Sequence, residues 1–287
     1  MSDPGFPDFM KSSVQNRTPP PEIDTTKPSI ARVYSYYLGG KDHFQVDRDM
    51  ADYASKVVPG LTDIALGNRE FVQRSVRYMA RDAGIRQFLD IGSGLPTDGN
   101  VHEIAHESTP DAHVVYVDND PIVLAHGRAL LEDKRGSNVI TADLTRPEEI
   151  IGHPVTRELI DFGEPVGLVL GGILHHLHDW QEPRRVAAEL CGALAPGSHV
   201  AVSHFHRPDE EEFPDDADRA RLVEEAFLEK LGHGRWRTRE EILACFGGLE
   251  LVEPGLVPCQ EWRAGPDTHR MADYVHRLIV GGVGRKA

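Results

Sequence analysis

Apolar residues recur along this chain with two periods, and the change from one to the other falls near residue 86. Over residues 28–85 the spacing is helical. Pro28 suits a first helical turn, Ile30, Val33, Tyr34 and Tyr37 follow at helical intervals, and Gly39-Gly40 closes the segment. A second helix is predicted over 45–57, stopped by Pro59. A third is predicted over 62–82, with Phe71, Val72, Ser75, Val76 and Met79 on one face and Gly84 just past its end.

From residue 87 short apolar runs alternate with helical stretches. Strands are predicted over 87–91, 113–118, 138–142, 166–170 and 198–203, and helices over 99–107, 121–131 and 181–194. This alternation predicts an α/β fold, a parallel sheet with helices on both faces. A charged amphipathic helix is expected over 215–231. Thr238 opens another, with Glu241 three residues on for a capping box. The runs 249–252 and 278–280 are candidate final strands that close the sheet as a hairpin.

Composition narrows the setting. The chain has 287 residues, enough for one large α/β domain, and its 40% hydrophobic and 27% charged residues are ordinary for a globular protein. No apolar stretch reaches the roughly 18 residues of a membrane span, and the N-terminus lacks a signal-peptide core. Cys191, Cys245 and Cys259 are far apart and form no CxxC pair, which speaks against structural zinc or a disulfide framework and for a cytoplasmic setting. The formal net charge of −15 repels polyanions, so nucleic acid is not an expected partner. A membrane is not expected either, and a homodimer is left open.

The most informative stretch is Phe88-Leu89-Asp90-Ile91-Gly92-Ser93-Gly94. A predicted strand ends on an acid, and Gly-x-Gly then turns toward a helix, the arrangement that lets a ligand approach the backbone closely. A dinucleotide site favours a third glycine at position 97, where this chain has Thr97, and Asp90 would repel a pyrophosphate. A ligand carrying a cationic sulfur and an ammonium is instead attracted by that acid. The next strand ends in Asp118-Asn119-Asp120, and Asp118 is suited to accept hydrogen bonds from two ribose hydroxyls. Asp143 and Leu144, after the third strand, fit either an adenine contact or a turn cap before Pro147.

These motifs together resemble a known family. FLDIGSG, VVYVDNDP and ADL look like class I methyltransferases. More narrowly, the segment 29–44 (SIARVYSYYLGGKDHF), with Phe88 to Thr97, Asn100 to Glu103, Val114 to Leu131, Leu174 to His176, Leu194 to His204 and Val283 to Lys286, resembles an actinobacterial family of S-adenosyl methyltransferases. The resemblance covers about residues 28–287, and departs from the usual Asn at His43. It implies a Rossmann-like, mostly parallel seven-stranded sheet with an N-terminal helical cap. The expected division is an arm over 1–27, a cap over 28–85 and a cofactor-binding domain over 86–287. It further implies that S-adenosylmethionine lies over Gly92 and Gly94 with its ribose at Asp118, and that the segment from Tyr36 to Lys41 folds over it. Tyr36, Lys41, Asp90, Gly92, Ser93, Gly94, Asp118, Asn119, Asp143, Leu144, Gly171 and Ile173 are therefore the candidate cofactor contacts.

Methyl transfer is a direct displacement, in which alignment and desolvation supply much of the acceleration. A base is needed only where the acceptor must lose a proton. The end of the fourth strand supplies Gly171 and Gly172, expected to let the chain approach the methionine part, and then His175 and His176 as candidate bases. With His178, His204 and His206 they also raise a metal site, but their spacing fits no recognised motif and polar rim or packing roles are expected instead. The expected function is S-adenosylmethionine-dependent methylation of a small molecule. The alternatives are a non-catalytic module that binds the same cofactor and a nicotinamide-dependent oxidoreductase.

Overall fold

The computed structural model describes residues 23–131, 136–178 and 181–287. The expected N-terminal arm lies outside these residues except for positions 23–27. Three helices lead the chain: α1 (Ile30–Tyr37), α2 (Gln45–Val57) and α3 (Leu61–Arg81). Strands and helices then alternate: β1 (Gln87–Ile91), α4 (Val101–Ser108), β2 (His113–Asp118), α5 (Pro121–Leu131), β3 (Ser137–Thr141), α6 (Pro147–Gly152), α7 (Pro154–Leu159), β4 (Gly167–Gly171), α8 (Gln181–Ala193) and β5 (His199–Phe205). The C-terminal part adds α9 (Pro214–Leu231), α10 (Arg239–Leu243), β6 (Glu250–Leu251), β7 (Val257–Pro258) and β8 (Ile279–Arg285).

The sheet runs β3-β2-β1-β4-β5-β8-β6, parallel through β5 and antiparallel at β8. It is seven positions wide. The last position holds two fragments, because β6 and β7 pair with different stretches of β8. The final hairpin expected from two short apolar runs is thus a long strand, β8, edged by a broken one. Helices α6 and α7, too short to carry a clear period, are additions to the sequence-based picture.

Strand alternation sends side chains into two cores. Phe88, Val114, Val169 and Ala201 meet α3 with Phe71, Val72, Val76 and Met79 on one face. Leu89, Val115, Leu168, Leu170 and Val202 meet α6, α8 and α10 on the other. Burial on both faces is why the strands read as continuous apolar runs. Helix α3 shares the core of the sheet, whereas α1 and α2 lie over its carboxyl end. A buried ion pair holds them there: Arg32 Nε meets Asp47 Oδ2 at 2.8 Å, and Asp47 Oδ1 accepts the Ser29 N–H at 3.0 Å. Tyr53 adds a tie from α2 to α9, donating its hydroxyl to Glu229 at 2.7 Å.

Candidate functional site

A cavity opens where β1, β2 and β4 end, under α1 and α3. This is the switch point of the sheet, where the order reverses between β1 and β4 and loops diverge. The turn after β1 forms its floor. Gly92 has φ +72°, and a Cβ there would lie 2.4 Å from Ile173 Cγ1, so the residue must be glycine for the first loop to touch the end of β4. The Gly92 N–H donates to Val117 O at 2.8 Å, and the Gly94 N–H donates to Asp118 Oδ2 at 2.9 Å. The second bond fixes Asp118 against the glycine turn. Its other oxygen accepts the Asp120 N–H at 2.9 Å.

Asp90 is different. It is buried, and among the described residues no donor reaches its carboxylate. Burial pushes its pKa up to about 7, opposed by the nearby Arg69 and reinforced by Asp118. Burial raises Asp118 as well, against the hydrogen bonds from Asp120 and Gly94. Arg69, on α3, donates from Nη2 to Gly99 O at 2.9 Å, while its buried Nε has no partner. A cavity wall with one unpaired acid and one unpaired guanidinium N–H fits a ligand end that carries an ammonium and a carboxylate.

The cap segment divides between cavity and surface. Gly40 N–H donates to Ser35 O at 2.8 Å and Gly39 N–H to Tyr36 O at 3.0 Å, a Schellman end to α1 that requires Gly39 at φ +77°. The Gly-Gly pair therefore ends a helix, and Lys41 beyond it is exposed and away from the cavity. Tyr36 also turns outward, donating to Asp52 Oδ1 at 3.2 Å and meeting His43 edge to face. Its neighbour Tyr37 lines the cavity instead, as does Tyr34 one turn before it. Both hydroxyls are spent on backbone, Tyr34 on Ala65 O and Tyr37 on Ala51 O, and burial pushes both up to about 12. Asp143 and Leu144 are likewise away from the cavity wall. Asp143 caps a turn through Thr145, whose N–H and hydroxyl hold the carboxylate below its usual range, and Leu144 packs on the second core.

At the end of β4, Gly171 and Gly172 line the cavity, but their glycine character serves α3. A Cβ on Gly171 would lie 2.6 Å from Val72 Cγ2, and one on Gly172 3.0 Å from Asn68 Nδ2. Asn68 joins a buried network in which it accepts from Ser203 Oγ and donates to the Tyr34 hydroxyl at 2.9 Å. Position, more than composition, hid Asn68, Arg69, Phe205 and Phe227 from sequence reasoning.

His175 and His176 both line the cavity, with burial holding each well below the ordinary histidine range. They are not equivalent. His175 Nδ1 accepts the Phe205 N–H at 3.3 Å, so the neutral ring carries its proton on Nε2 and is a donor. Its face stacks on Phe205 with centroids 3.6 Å apart, and Trp236 stacks on Phe205 at 4.0 Å. His176 Nδ1 shares a hydrogen bond with His233 Nδ1 at 2.9 Å. His204 is occupied by Arg237 and Phe205 O, and His206 by Arg277 O. Among the described residues no three His, Cys, Asp or Glu side chains converge as a metal site.

The S-adenosyl methyltransferase family pattern matches residues 16–287. A candidate methyltransferase from Thermobifida fusca is 45% identical over 94% of this chain and 99% of its own, with a TM-score of 0.85. A DUF574 family protein from Streptomyces avermitilis is 35% identical over 93% and 100% of the two chains, also at 0.85. An O-methyltransferase family protein from Burkholderia thailandensis, 15% identical with a TM-score of 0.50 over 91% of this chain and 64% of its own, shares the fold. No curated protein matches the chain. The glycine turn, its two acids and these likenesses agree: the chain belongs to the S-adenosyl methyltransferase family, which implies use of S-adenosylmethionine.

Proposed function

We propose that this chain is an enzyme that transfers a methyl group from S-adenosylmethionine to a small-molecule acceptor. The observation that carries the reading is Asp90, a buried carboxylate with no donor among the described residues, on the wall of the cavity that also holds Gly92, Gly94 and Asp118. Asp90 receives the ammonium, Arg69 the carboxylate, and Asp118 with Asn119 the ribose hydroxyls. When bound, S-adenosylmethionine supplies the electrophilic methyl carbon. The rigid network of Tyr34, Asn68 and Ser203 holds the wall beside it, so alignment is set before reaction. His176 takes the acceptor proton on Nε2 in the tautomer whose Nδ1–H donates to His233, and His175 donates from Nε2.

Calorimetry with S-adenosylhomocysteine tests the cofactor assignment. The wild-type chain is expected to bind it, and Asp118→Ala to weaken binding by about 1–3 kcal/mol. Absence of heat at millimolar ligand overturns the reading, and unchanged affinity in the variant removes Asp118 from the ribose site.

A further inference from the structure

Among the described residues the charged side chains on the cavity wall are Arg69, Asp90, Asp118 and Asp120, and all four gather at the β1 and β2 end. The wall toward α2, the end of β5 and α9 is formed by Tyr37, Leu61, Ile64, Phe205, Phe227 and Ile279. The polar groups on that side are partly engaged, which leaves the Nε2 atoms of His175 and His176. The Tyr37 hydroxyl donates to a backbone carbonyl, His175 Nδ1 to Phe205 is closed, and His176 meets His233. The aromatic members are fixed as a block, with Phe227 edge-on to Phe205 at 5.8 Å and to Trp236 at 5.3 Å.

From this division we infer that the acceptor is an uncharged aromatic molecule bearing a weakly acidic hydroxyl, held against Phe205 and Phe227. The inference rests on the methyltransferase reading, which assigns the acids to the cofactor and leaves the apolar end vacant for the acceptor. A charged acceptor would lose its hydration there and gain no counter-charge. A flat ring can meet the edge of Phe205, whose two faces are covered by His175 and Trp236, and the ring of Phe227 beside it. A neutral hydroxyl needs what the site offers, a group that removes a proton. In the step, the hydroxyl oxygen forms the new bond to the methyl carbon as the carbon–sulfur bond breaks, and the sulfur keeps that electron pair as a neutral thioether. The hydroxyl proton passes to His176 Nε2, and the Nδ1 proton of His176 passes to His233 Nδ1 and on to water.

The test is calorimetry on the full chain saturated with S-adenosylhomocysteine, using three probes of one shape: 2-naphthol, 2-naphthoate and 2-naphthylmethylammonium, at pH 7. The expected result is that 2-naphthol binds at least tenfold more tightly than either ion. Phe227→Ala, and the milder Phe227→Leu, should weaken 2-naphthol by tenfold or more for the first and less for the second, with S-adenosylhomocysteine affinity unchanged. That unchanged affinity also reports that each variant folds. An ion that binds as well as 2-naphthol, failure of all three probes, or variants that leave 2-naphthol unmoved overturns the inference. Failure of S-adenosylhomocysteine itself to bind is a separate result and strikes at the methyltransferase reading.

Discussion

The two ends of the cavity are built by opposite rules. At the β1 and β2 end the backbone does much of the work: tight glycine turns, N–H groups aimed at Asp118, and an acid left without a donor. At the β5 and α9 end side chains do it, as a stack of rings in which His175 is held through Nδ1 by the Phe205 N–H. The first arrangement leaves charge unsatisfied until a ligand arrives. The second leaves no charge to satisfy. On the proposed function, the difference separates the two tasks of a transferase, since a shared donor calls for polar recognition and a particular acceptor for shape.

The contrast depends on α1, which borders the cavity and is anchored to α2, so the largest effect should follow from breaking that anchor. Asp47→Ala leaves Arg32 buried without its partner and should cost about 3–5 kcal/mol in denaturant unfolding. Gly92→Ala attacks the joint between the ends. Its Cβ must push Ile173 aside at a positive φ, and about 1–3 kcal/mol of stability should be lost together with S-adenosylhomocysteine binding.

A pH series sharpens the electrostatic half. Asp90 has its folded pKa raised from 3.8 to about 7, so its contribution to stability is fully present below about pH 4 and is lost as pH rises through 7. Binding of an ammonium at Asp90 runs the other way. Affinity for S-adenosylhomocysteine should rise between pH 5 and 8, by up to about 1.4 kcal/mol per unit below the folded pKa. Asp90→Asn should flatten that rise and stabilise the ligand-free chain at neutral pH. The smallest effect belongs to the outward-facing part of the cap: Lys41→Ala and Tyr36→Phe should each change S-adenosylhomocysteine affinity by less than about 0.5 kcal/mol.

The legible parts of this molecule were those in which one short segment carries the whole signal. The glycine turn, Asp118 at a strand end and the capping box at Thr238 need a handful of neighbouring residues to be recognised, and each is present. The cap was harder. Tyr36 and Tyr37 are adjacent, helical periodicity alone does not say which one faces inward, and packing against α2 and α3 turned Tyr37 to the cavity. Gly171 and Gly172 looked like room for a ligand, while the space beside them is filled by Val72 and Asn68 from a helix about a hundred residues earlier. The Ser203 to Asn68 bond spans 135 positions, and the apolar wall draws on β5, α9 and β8 at once. No local pattern contains such a contact. Asp143 sits where a strand ends, as Asp118 does, but its oxygen is satisfied within two residues by Thr145.

Ser29 donates a hydrogen bond to Asp120 Oδ2, joining the start of α1 to the loop after β2, and Ile30 and Asp120 both border the cavity. On the proposed function, this places a latch between the first helix and the nucleoside loop. Opening that latch would part the eight-residue first helix from the loop that follows Asp118.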